Sequence, residues 1–362
     1  MEVARVSALG SVSFGWLHQQ GGFVFDEPFF LDPHVRQQRE RQVNAFVEER
    51  FPRHPLYNIE AHLVQVEGRQ QPVLLVGGLQ PNLILGVAVG ARFVFYGDKD
   101  ADITPTPLAD VHSLHRLMNI DWTGRWPLSM FLDQIGEARE KWGHEYRIVP
   151  PFFWDTTGRA TIHGIVTTAQ KLIGERVFLE MADHTPFIAD LFHWIAESYA
   201  ALIELFADAA GMRITGLHIG DCSLCMVGPK PFSELVLPHL NALARRIGPL
   251  RLHSCGHSDH LLEAFRQVER LATLNVGSGT SLAKIRQHFG PLRVDLLPDS
   301  HLLMSGSPAE VDTFVRQCVE ANGDGELQLE YHLDLGQPEE NCLQIHRTLE
   351  SLGYPASRCK IY

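Results

Sequence analysis

Two short segments of this chain carry residue types and spacings that could do chemistry. The first is LHSCGHSDHLLEAF, where His253 and Cys255 are two residues apart. The stretch Leu250–Leu252 reads as a strand, and residues i and i+2 of a strand point to the same face. An imidazole and a thiol placed this way can converge on one ion, and zinc favours nitrogen and sulfur donors. The second is GDCSLCMVG, where Cys222 and Cys225 form an isolated C-x-x-C after a strand. With no second pair, that motif is a weak zinc or redox signal. Six cysteines scattered irregularly over 362 residues fit a reducing compartment rather than a disulfide framework.

The elements that must position these residues alternate. Strand candidates are Val73–Val76, Arg92–Tyr96, Arg147–Val149, Ile214–Ile219, Leu250–Leu252, Thr273–Val276, Leu292–Leu297 and Leu327–Tyr331. Helical patterns separate most of them. Ala189–Ala210 has apolar residues at helical spacing and stops before Gly211. Pro231–Ile247, Asp259–Val268 and Ser281–Phe289 read the same way. Ser307-Pro308-Ala309-Glu310 is a helix start with a capping Ser, Pro in the first turn and Glu three residues on. Strands alternating with helices imply a parallel sheet. About eight of them at this length predict a (β/α)8 TIM barrel over residues 61–362, with 1–60 an irregular extension packed on it.

A barrel carries its active site at the carboxyl ends of its strands. Four late strands run into polar groups there. Ile214–Ile219 leads to Asp221 and Cys222, and Leu250–Leu252 leads to His253 and Cys255. Thr273–Val276 contains Asn275, and Leu327–Leu329 leads to Glu330, Tyr331, His332 and Asp334. Asp221, His257, Asn275 and Tyr331 are the candidate catalytic residues. Each alone is as well explained by a turn cap or a loop hydrogen bond. With 19 histidines in the chain, some must fall near any site by chance.

Composition bounds the partners. The net charge of −12 and pI near 5.9 argue against nucleic acid, whose phosphates require clustered Lys and Arg. The N-terminus lacks the basic and apolar regions of a signal peptide, and no apolar run reaches the ~20 residues of a membrane span. A cytoplasmic protein acting on a small molecule is expected, and a homodimer is compatible.

The segment from about Leu217 to Leu349 resembles the uroporphyrinogen decarboxylase superfamily. The motifs occur in order: GDCSLCMVGPKPFSELVLPHL, LHSCGHSDHLLEAF, LNVGSGTSLAKIRQHFG, HLLMSGSPAEV and GQPEEN. LGVAVGARFVFYGDKDADITPTPLADVHSLHRL and IHGIVTTAQKLIGER are similar to earlier elements of that family, the latter to its central helix. True uroporphyrinogen decarboxylases carry an Arg-rich N-terminal motif for a many-carboxylate substrate. Here Arg36, Arg39 and Arg41 lie instead in a helical run of mixed charge, so porphyrinogen decarboxylation is the lesser expectation. The branch with zinc-dependent methyltransferases, which move a methyl group between a corrinoid protein and a thiol, fits better. Resemblance to it implies zinc on His253, Cys255 and a third ligand after the last strand. His332 is chosen there, with Cys342 the alternative. A His2Cys site is less anionic than a two-thiolate one and also suits iron, water activation, hydrolysis or a lyase reaction. The resemblance implies a methylated corrinoid as external donor and a corrinoid protein as partner.

Overall fold

The computed structural model describes residues 5–54, 56–58, 72–115, 117, 120–154 and 156–354. Its strands in chain order are β1 (Val6–Val12), β2 (Tyr57–Asn58), β3 (Val73–Leu75), β4 (Arg92–Val94), β5 (Asp102–Thr104), β6 (Arg147–Val149), β7 (Arg159–His163), β8 (Gly216–Gly220), β9 (Leu250–Ser254), β10 (Leu271–Gly277), β11 (Arg293–Leu297) and β12 (Leu327–Leu333). Eight form one curled sheet in the order β2-β1-β12-β11-β10-β9-β8-β7, and every neighbouring pair is parallel. β3 and β6 make a separate parallel pair.

Parallel neighbours need crossovers, and helices supply them. Pro186–Ala210 is the longest, with Thr185 accepting from the Ile188 amide at its start and Gly211 left-handed at its end. Its apolar residues recur at helical spacing and are buried. Ser307 and Glu310 form the expected capping box at the start of Pro308–Asn322. The strands themselves alternate. Leu250, Leu252, Leu327, Leu329, Val294 and Leu296 are buried on the helix-facing side. Arg251, His253, Asn275, Asp295, Gln328, Glu330 and His332 occupy the intervening positions and so face the inside of the curl.

Three expectations are corrected. Arg92–Tyr96 is not a strand of the parallel sheet, because β4 pairs antiparallel with β5 in a two-stranded ribbon. The start of the extension is not irregular: β1 pairs along its whole length with β12. The helical run of mixed charge is the helix Pro33–Arg50, pinned to the loop after β3 by Arg36 Nη1 donating to the Gly78 carbonyl at 2.8 Å. The stretch around Ile162 begins as strand β7 rather than as helix, which starts only at Ile165. Among the described residues, no helix is long and apolar enough to cross a membrane.

The last helix, Glu339–Ser351, is anchored to β12 by a buried pair: the Tyr331 hydroxyl lies 2.9 Å from His346 Nε2. Gly10 on β1 leaves room for the Tyr331 ring, where any larger residue would collide. Burial, with His54 stacked alongside, depresses the pKa of His346 from 6.5 to about 4. The unfolded chain thus binds a proton that the folded one refuses between those values. The stability from this neutral contact is complete above pH ~6.5 and is lost as pH falls towards ~4. His346→Gln keeps an acceptor for Tyr331 but cannot titrate. Urea unfolding at pH 7.5 and pH 5 should show a smaller acid-induced loss in this variant, by about 1–2 kcal/mol. Equal losses in both proteins would refute the assignment.

Candidate metal centre

The site is built where β8, β9 and β10 end. In the parallel register Gly220 lies beside His253, and His253 beside Asn275. After Gly220 the chain turns through Asp221 into a 3-10 turn, Cys222–Met226. That turn carries Cys222 over the end of β9. The Asp221 amide donates to the His253 carbonyl at 3.0 Å, which fixes the turn against the neighbouring strand.

Three donors converge there: Cys222 Sγ, a ring nitrogen of His253 and Cys255 Sγ lie within 4.8 Å of one another. Cys222 Sγ is 3.4 Å from His253 Nε2. Both cysteines are exposed and His253 is half-buried, so the group opens to solvent. The other ring nitrogen, Nδ1, is 2.7 Å from Asn275 Oδ1. The Cys222 thiol hydrogen-bonds the Cys255 sulfur and pulls its pKa down. The same bond to Cys255, with burial, pushes the Cys222 pKa up. Two thiols and one imidazole with this spacing match a tetrahedral zinc site with its fourth position open.

The expected residues divide. His253 and Cys255 are brought together. His332 is outside the three-donor group: its Nδ1 is held by the Ser11 hydroxyl across the β1–β12 pair. Cys342 is buried and its thiol donates to Gln337 Oε1 at 3.6 Å. Tyr331 faces His346 on the opposite side of β12. His257 is exposed, with Nε2 3.7 Å from an Asp259 carboxylate oxygen. Asn275 contacts the group through His253. The residue that sequence reasoning missed is Cys222. Its C-x-x-C partner is not in the group, since Cys225 turns its thiol back to the Cys222 carbonyl at 3.2 Å.

Asp221 is a structural bolt. Its carboxylate accepts from the Val166 amide at 3.1 Å, the Thr167 amide at 2.9 Å and the Thr167 hydroxyl at 2.8 Å. These groups begin the helix Ile165–Ile173, whose capping position is Gly164 and offers no side chain. A side chain at Gly164 would collide with Asp221. Burial raises the pKa of this carboxyl, and the three donors pull it back. Asp221→Ala should cost about 1.5–3 kcal/mol in urea unfolding, because charged acceptors contribute most among hydrogen bonds. A loss below 0.5 kcal/mol, on the order of an ordinary surface substitution, would remove the capping role.

A family profile described as Uroporphyrinogen decarboxylase (URO-D) matches residues 82–332. Among solved structures, a methyltransferase from Methanosarcina mazei superposes with a TM-score of 0.63 at 16% identity, covering 98% of this chain and 95% of the other. A B12-independent methionine synthase from Shewanella sp. W3-18-1, in complex with selenomethionine, gives 0.45 at 12% identity, covering 98% and 96%. No curated protein matches by sequence. The profile spans well over half of the chain, and the chain belongs to the uroporphyrinogen decarboxylase family.

Proposed function

We propose that the protein is a metal-dependent enzyme that transfers a methyl or other one-carbon group to a small thiol at the mouth of a closed (β/α)8 barrel. The observation that carries this reading is the convergence of Cys222, His253 and Cys255 at the ends of two adjacent strands. Likeness to a fold that serves a methyltransferase supports it. Cys222, His253 and Cys255 would hold zinc, which supplies the Lewis acidity that keeps an acceptor thiol anionic and still nucleophilic near neutral pH. Two sulfur donors favour zinc over iron in such a set. The acceptor sulfur then forms a bond to the methyl carbon. The bond from carbon to the donor breaks, and its electron pair stays with the donor. The acceptor's proton leaves to solvent.

The chain's own residues do the rest. The exposed faces of Cys222 and Cys255 admit the acceptor, and Asn275 orients His253. Arg251 is committed to Asp295 and Glu330, and Arg293 to Asp295 and Glu326, so these inner-face cations are spent on internal carboxylates. That weighs against a many-carboxylate substrate. A methylated corrinoid, free or on a partner protein, is the donor class we infer. The hydrolase reading rested on His332 as a ligand, and His332 lies outside the three-donor group.

Purified protein should contain about one zinc per chain. Cys222→Ser, His253→Gln and Cys255→Ser should each lose most of that metal. Cys225→Ser and His332→Ala should retain it. Elemental analysis separates these outcomes, and metal loss in His332→Ala with retention in Cys222→Ser would reverse the ligand assignment. Incubation with methylcobalamin and a panel of thiols should yield the thioether. Full zinc content without methyl transfer to any thiol would overturn the chemistry.

A further inference from the structure

Asn275 sits at the centre of the inner face, between β9 and β11 and reaching β12. It is buried, and its carboxamide is used completely. Nδ2 donates to the Asp295 carbonyl at 2.9 Å and to Glu330 Oε2 at 3.2 Å. Both acceptors are oxygens that carry no proton to give. The carboxamide therefore turns Oδ1 to the remaining contact, His253 Nδ1 at 2.7 Å. An amide oxygen can only accept, so the proton of that contact belongs to Nδ1. Nε2 keeps its lone pair and faces Cys222 Sγ.

The polarity of this contact is set upstream. Glu330 is clamped by Arg251 Nη2 at 2.6 Å on Oε2 and by Gln328 Nε2 at 3.0 Å on Oε1. Arg251 is fixed in turn by Asp295 Oδ2 at 2.7 Å. A flipped Asn275 would set its oxygen against the Asp295 carbonyl and the Glu330 carboxylate together, leaving two acceptors facing an acceptor with no proton between them. The chain from Arg251 to Glu330 to Asn275 to His253 runs in one direction only.

We propose that Glu330, acting through Asn275, sets the tautomer of His253 and so selects Nε2 as its ligand atom. Both are positioning residues of the metal-dependent site, and their importance for activity rests on that reading. The tautomer itself does not.

The test uses the full chain without metal, labelled with 15N-histidine, at pH 8. Long-range 1H–15N correlation shows which ring nitrogen is protonated, and the spectrum of His253→Gln identifies the resonances. Protonation of Nδ1 with an unprotonated Nε2 is expected. A proton on Nε2, or a mixture, overturns the proposal without any variant. In Glu330→Leu and Asn275→Leu the second tautomer should appear, and zinc affinity should fall about 10–100-fold, the usual cost of losing a partner that orients a ligating His. Glu330→Gln keeps an acceptor oxygen at the same place and should restore both the single tautomer and the affinity. A pure Nδ1–H form in Glu330→Leu removes Glu330 from the assignment. A single Nδ1–H tautomer in a protein that binds no zinc would instead sink the metal reading and leave the positioning intact.

Discussion

A guanidinium held between two carboxylates inside the sheet is the contact on which the site depends. Arg251 on β9 reaches Asp295 on β11 at 2.7 Å and Glu330 on β12 at 2.6 Å, passing across β10. Burial works against its charge, but Glu330 and Asp295 outweigh that and hold its pKa above the ordinary value. Burial also raises the pKa of Glu330, against the pull of Arg251. Charges taken out of water cost several kcal/mol each, and the pairing recovers that only with close geometry and every lone pair engaged. Here Arg293 takes the second Asp295 oxygen and Gln328 takes the second Glu330 oxygen. Such a network adds little net stability over an apolar filling, but it specifies arrangement. A one-residue slip of β9 would turn Arg251 to the apolar helix-facing side and take its guanidinium from both buried carboxylates. The same slip would carry His253 away from Asn275. Register and ligand orientation are thus enforced by one set of contacts.

The other half of the site is enforced by Asp221. It ties the end of β8 to the start of the helix after β7, and its amide holds the end of β9. One glycine makes this approach possible: Gly164, which leaves room for the carboxylate. The 3-10 turn carrying Cys222 is therefore not a free loop. Its sulfur is delivered by a bolt at the neighbouring residue, which is why a carboxyl so close to the candidate ligands sits away from solvent.

Much of this was legible and some was not, for identifiable reasons. Strands β6 and β8 to β12 follow from short apolar runs between turn residues, and the capping box from local chemistry. The H-x-C pair is local too, since two alternate residues on one strand necessarily share a face. β1 escaped because VSALGSV has weak strand propensity and owes its conformation to β12, over three hundred residues away. β7 escaped because RATIH runs straight into helical residues through a single glycine. Cys222 was misjudged because a lone C-x-x-C was weighed as a unit. Its meaning lies in strand order, which makes β8 and β9 neighbours, and spacing along the chain does not encode that. His332 was chosen as the third ligand and lies outside the three-donor group. The Ser11 hydroxyl that occupies it belongs to β1, the strand that was not foreseen.

Exchanging His332 for Cys222 in the donor set changes the chemistry as well as the geometry. Two imidazoles and one thiolate leave a divalent cation with a net charge of about +1, which favours polarising water. One imidazole and two thiolates would cancel the charge of a divalent cation held there, and the set would then supply charge to a bound thiolate rather than polarise water. The hydrogen bond from the Cys222 thiol lowers the pKa of Cys255 and raises that of Cys222. With Nδ1 of His253 engaged by a neutral amide rather than a carboxylate, the imidazole adds no further negative charge. The charge of a metal centre built on these donors would then be set by its two sulfurs, in keeping with the proposed transfer to a thiol.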